Sequence, residues 1–143
     1  MEDQILNGIV ARLSEIDSTV PIYTEQIKQG FFQPAFFVMQ LDTAQAPGYN
    51  RRSSRNMLFN VHYFPDRESL VPKADCRAIA QSLFEPLRYV TTENGLMRSN
   101  GLRYEIVDDI LHFFVNFNIK VILEKEPVDK MQKIEREGNL SGD

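Results

Sequence analysis

The chain has one cysteine (Cys76), two histidines and no tryptophan. One thiol excludes an intrachain disulfide and a multi-cysteine zinc site. Two histidines supply little for a catalytic or metal centre without convergent partners, because metal sites usually combine three or four ligands. No stretch approaches the roughly 20 apolar residues of a membrane helix. No basic-then-apolar segment opens the chain as a secretory signal would. Sixteen Lys and Arg against twenty Asp and Glu give a formal net charge of −4. That balance does not suggest a general nucleic-acid-binding surface, although it leaves room for a local basic loop. Gly-rich phosphate loops, G-x-S-x-G elbows and paired Cys-x-x-Cys motifs are missing as well. The expectation is a soluble protein made in the cytoplasm, with no membrane, metal or cofactor.

What the chain does have is apolar mass arranged in strands. Its 143 residues are 43% apolar and 25% charged, with ten Phe and five Tyr. This is a globular composition, enough for a single core. The longest pattern runs from Leu111 to Leu123. Leu111, Phe113, Val115, Phe117, Ile119, Val121 and Leu123 alternate with His112, Phe114, Asn116, Asn118, Lys120 and Ile122. Period-two alternation puts one set on each face of a strand. One face is unbroken apolar and needs a cover; the other is mixed, as on an antiparallel sheet with one wet or partner-facing side.

The remaining elements follow from the same periodicities. Met1 to Asp17 reads as an amphipathic helix, with Ile5, Ile9, Leu13 and Ile16 on one stripe. Pro21 prevents its continuation. Val20 to Ile27 reads as a short strand, Ala35 to Thr43 as a second and Met57 to Phe64 as a third. The polar segment 44–56 between the last two reads as an oversized hairpin tip; such long loops are usually functional or disordered. Lys73 to about Leu87 reads as a second helix, with Cys76, Ile79, Ala80, Leu83, Phe84 and Leu87 on one stripe. A linker containing Asn94-Gly95 leads to a fourth strand, Leu102 to Val107, and Asp108-Asp109 turns into the long fifth one. The expected fold is therefore α+β, in the order α-β-β-β-α-β-β. One mostly antiparallel sheet of about five strands carries two helices on one face. Residues 1–126 are expected to form a single domain, and 127–143 a charged tail with a short helix that then frays.

Few residues offer catalytic chemistry. His62 and His112 each sit inside a strand and read as polar-face sheet residues. Cys76 lies on the apolar stripe of the second helix and reads as a buried structural thiol, although Lys73 and Arg77 nearby would favour a thiolate. Glu105, Asp108 and Asp109 have the chemistry of a metal-dependent nuclease. Asp-Asp between two strands is, however, ordinary turn chemistry, and no lysine completes a nuclease-like Asp…Glu-x-Lys arrangement. No catalytic residue is assigned.

Two features point to binding. The tip carries Tyr49, Arg51, Arg52 and Arg55, a set able to grip phosphates, carboxylates or an acidic protein surface, and the acidity of the whole chain favours protein over DNA as the partner. Strand and strand-flanking aromatics are also in surplus. Phe31, Phe32, Phe36, Phe59, Phe64 and Phe114 do not all obviously fit beneath two helices, which makes them candidates for a subunit interface.

The order and wording of the chain resemble the small tail terminator (tail completion) proteins of tailed phages and PBSX-like prophages. The resemblance rests on Ile5-Leu6-x-x-Ile9-Val10, on Val20-Pro21-Ile22-Tyr23 and on Gln33-Pro34-Ala35-Phe36-Phe37-Val38. It continues, after the polar insert, in Asn60-Val61-His62-Tyr63-Phe64-Pro65 and in Leu102-Arg103-Tyr104-Glu105-Ile106-Val107-Asp108 with the long strand behind it. It implies a structural virion protein, not an enzyme. Such proteins form rings, usually of six, that cap the tail tube, and DNA passes through the lumen. The implied partners are further copies of the chain, the tail tube protein and the head-tail connector. The implied location is the host cytoplasm during assembly and then the virion tail. Another neck or connector protein, a plain binding module and a small nuclease are the alternatives.

Overall fold

The computed structural model describes residues 1–24 and 31–122. In chain order the elements are α1 (Glu2–Ile16), β1 (Ile22–Tyr23), β2 (Ala35–Pro47) and β3 (Arg52–Phe64), then α2 (Pro72–Leu83) and a 3-10 turn (Pro86–Arg88). There follow β4 (Tyr89–Thr92), β5 (Gly95–Arg98), β6 (Gly101–Val107) and β7 (Ile110–Ile122). β1, β2, β3, β7 and β6 form one sheet in that order, and β4 pairs with β5 in a second, two-stranded sheet. The result is the expected α+β architecture, with a mostly antiparallel five-stranded sheet and two helices.

Two compact units divide the chain: Met1–Ala44 with Asn56–Asn118, and Gln45–Arg55 with Ile119–Asp143. The core lies in the first. Ile5, Ile9 and Leu13 of α1 are fully buried, as are Cys76, Ala80 and Leu83 of α2. On the strands, Met57, Phe59 and Val61 are fully buried, and so are Leu111, Phe113, Val115 and Phe117. These are alternate residues of β3 and β7, so one face of the sheet is covered over these stretches. Phe84, just beyond α2, meets Phe113 at 5.1 Å between ring centroids, and Tyr104 stacks parallel to Phe113 at 6.5 Å. The thirteen fully buried apolar side chains of α1, α2, β3 and β7 make up the core.

Local chemistry sets the ends of the elements. α1 stops where Asp17 turns extended, at φ −156°. Its carboxylate then accepts from the Thr19 amide at 2.9 Å and the Thr19 hydroxyl at 2.6 Å. α2 opens on Pro72, which loses nothing there because a first-turn N–H has no helical partner. It closes earlier than the apolar stripe suggests. Pro86 lacks the N–H that would continue the ladder, so the chain passes into a 3-10 turn that still buries Leu87. β6 and β7 pair antiparallel from Gly101↔Asn116 to Val107↔Ile110. Asp108 (φ +52°) and Asp109 (φ +62°) make the two-residue turn between them, the left-handed geometry that a tight hairpin needs.

Two segments differ from the sequence expectation. The stretch read as a linker is the β4–β5 hairpin, paired from Tyr89↔Arg98 to Thr92↔Gly95. Glu93-Asn94 is its turn, Gly95 follows at φ +103°, and Thr92 Oγ1 donates to the Gly95 carbonyl at 3.0 Å. Four-residue strands are too short for alternation to register. The expected strand over 20–27 is described only as Ile22–Tyr23, pairing parallel with Phe36–Phe37 of β2. Residues 25–27 of that strand, Leu123 and the tail lie outside the described residues.

Candidate functional site

The segment expected to be a long loop is largely strand. β2 runs on to Pro47 and β3 begins at Arg52, which leaves only Gly48, Tyr49, Asn50 and Arg51 between them. Asn50 (φ +52°) and Arg51 (φ +62°) occupy the centre of the turn, and the Arg52 amide donates to the Tyr49 carbonyl at 2.9 Å. Gly48 is required where it sits, because an added Cβ would lie 2.9 Å from the Arg52 carbonyl oxygen. The extended polar strands escape a hydropathy reading because neither of their faces is apolar.

This hairpin gathers the predicted loop residues within the second unit. Tyr49 is 86% exposed. Arg55 is anchored: its Nε and Nη2 donate to Gln45 Oε1 at 2.9 and 2.7 Å. Arg52 lines a concavity of about 380 Å³ together with Tyr49, Ser53, Ser54 and Lys120. Lys120 was not singled out from the sequence. Its signal was its place on the mixed face of β7, close to the strand's end. Among the described residues of this unit, 45–55 and 119–122, there are four cations and no Asp or Glu.

The aromatic candidates separate into two groups. Phe36 and Phe59 are 1% and 0% exposed and lie in the core of the first unit. Phe36 meets Tyr63 at 5.1 Å and Phe59 meets Phe117 at 6.0 Å. Phe31 and Phe64 belong to a different cluster with Tyr23 and Phe37. Phe31 lies 4.8 Å from Phe37 and 4.9 Å from Phe64, and Phe37 lies 5.0 Å from Tyr23. Half-buried Phe114 lies under the Arg103 guanidinium, whose Cζ is 4.1 Å from the ring centroid, a cation–π contact. Phe32 is 84% exposed. The shared residue type hid this division. Phe36 and Phe37 are adjacent and both buried, at 1% and 6% exposure, and only the packing decides which cluster each joins.

The catalytic alternatives find ordinary structural places. Asp108 and Asp109 are turn residues. Among the described residues no group of three or more His, Cys, Asp or Glu is placed to hold a metal ion. The Cys76 thiol is buried and directed at the Asp109 carbonyl at 3.5 Å. Burial pushes its pKa up, away from the thiolate that nucleophilic chemistry requires.

Comparison with curated proteins finds no match. A solved structure aligns over 88% of this chain and 99% of its own at 16% identity and a TM-score of 0.40, too distant to carry an argument. The family model described as "Phage tail terminator protein" matches residues 4–129, and so spans the core, the basic hairpin and the long β7. The chain belongs to the phage tail terminator protein family.

Proposed function

We propose that this protein, a structural component of a phage tail, caps the tail tube as a ring and offers the surface to which the head is joined. The observation that carries the reading is the family match over residues 4–129. The function is stoichiometric binding, with no turnover. The partners are further copies of the chain, the tube protein and the head-tail connector, with DNA passing through the lumen. Assembly takes place in the host cytoplasm and the product resides in the virion tail. Among the described residues no helix is long and apolar enough to cross a membrane.

A ring is a closed head-to-tail assembly, so each subunit needs two different complementary surfaces. The sheet supports this reading with two unlike edges. On one side β1 covers only Phe36 and Phe37, and from Val38 to Ala44 that edge of β2 has no strand partner among the described residues. On the other side β6 is the last strand. Unpaired strand edges are templates for pairing with another chain. Phe32 and the Arg103–Phe114 pair are further candidates for the contact, while Tyr49 and the tip arginines are candidates for docking to tail or head parts.

The test is light scattering on a sizing column over a range of concentrations, with and without the tube protein. A mass of about six 16.6 kDa chains, alone or on the tube, is the expected result. A monomer under both conditions, with tubes growing past their normal length in its presence, overturns the reading.

A further inference from the structure

We propose that the tip of the β2–β3 hairpin binds the phosphate backbone of double-stranded DNA. The proposal deepens the docking role given to the hairpin above. Four of the chain's sixteen Lys and Arg stand in the described part of the second unit without an acidic residue, which leaves twelve against twenty Asp and Glu on the rest of the chain. The side chains of Arg51, Arg52 and Lys120 make no hydrogen bond or ion pair to any described residue, whereas that of Arg55 is committed to Gln45. The concavity beside them is lined by Arg52, Lys120, Ser53 and Ser54, whose side chains end in hydrogen-bond donors, together with Gly48, Tyr49 and Ile122. Phosphate oxygens are acceptors throughout and match such a lining.

DNA is favoured over an acidic protein surface for two reasons. A protein interface draws most of its affinity from a few anchors, chiefly Trp, Tyr and Arg, seated in desolvated pockets, and the one aromatic of this concavity, Tyr49, is 86% exposed. Backbone binding needs no anchor; it is driven by counterion release, with one phosphate charge for about every 1.7 Å of duplex.

The experiment is fluorescence anisotropy of a labelled 20-base-pair duplex with the full chain at about 50 and 200 mM salt, the range over which phosphate contacts are lost. The variants are Arg51→Ser/Arg52→Ser/Lys120→Ser and, as a charge-matched control, Arg67→Ser/Arg77→Ser/Arg98→Ser. Thermal unfolding verifies that both remain folded. The expected result is salt-dependent binding by the wild type and control. The tip variant should bind at least about tenfold more weakly, with a salt slope smaller by about three. No binding by the wild type overturns the proposal, as does equal weakening in the two variants. Preferential binding of labelled polyglutamate overturns it too, in favour of an acidic protein partner. A ring without DNA affinity removes this inference alone, and DNA affinity in a chain that never caps tubes removes only the ring.

Discussion

His62 of β3 and His112 of β7 meet edge to face, with ring centroids 4.3 Å apart and planes at 74°. Across the next pair of strands, Glu105 of β6 stands opposite His112. Burial, and secondarily the charge on His112, lowers the His62 pKa to about 4. Two imidazoles in contact are readily accommodated neutral and poorly accommodated as two cations.

The pair makes stability depend on pH. The unfolded chain takes up the His62 proton near 6.5 and the folded one near 4. The unfolded state therefore binds more protons between these values. The His62 contribution is complete above pH 6.5 and diminishes as pH falls towards 4. The melting temperature should drop between pH 7 and 4.5, and His62→Gln should reduce that drop. Asp17, whose carboxyl is held low by the Thr19 hydroxyl and amide, adds its own loss only below the ordinary carboxylate range. Equal drops in wild type and variant would refute the assignment.

Phe117 is fully buried and packs edge to face on Phe59. Phe117→Ala should cost about 3–5 kcal/mol, the transfer term plus the cavity. Phe32→Ala, at a side chain 84% exposed, should stay within about 0.5 kcal/mol. Urea unfolding of both distinguishes core from surface phenylalanine; similar midpoints would contradict the packing.

Gly8 marks the closest approach of α1 to β4. A Cβ there would lie 2.9 Å from Val90 Cβ and 3.0 Å from the Thr91 carbonyl oxygen. Alanine is better than glycine in a helix by about 1 kcal/mol, but the overpacking costs about 1–3 kcal/mol. Gly8→Ala should therefore destabilise the fold, read as a lower denaturation midpoint. A raised midpoint would mean that α1 moves away from β4 without cost.

The sequence alone determined the elements whose period is regular and whose apolar face is continuous. Ile5, Ile9 and Leu13 define α1, Leu111 to Phe117 define β7, and Asp108-Asp109 define the tight turn, because burial, pitch and turn chemistry all repeat locally. The basic tip was legible too, since charge is written directly in the residue types. Tertiary structure decided the rest. It turned an apparent loop into strand around Tyr49 and Arg51, because backbone pairing holds polar residues extended without an apolar face. It brought Lys120 into the same concavity as Arg52, across almost 70 positions of sequence. It sent Phe36 and Phe59 to the core and Phe31 and Phe64 to a separate aromatic cluster. A side chain's burial depends on what packs against it from distant parts of the chain, and that information is absent from any local window.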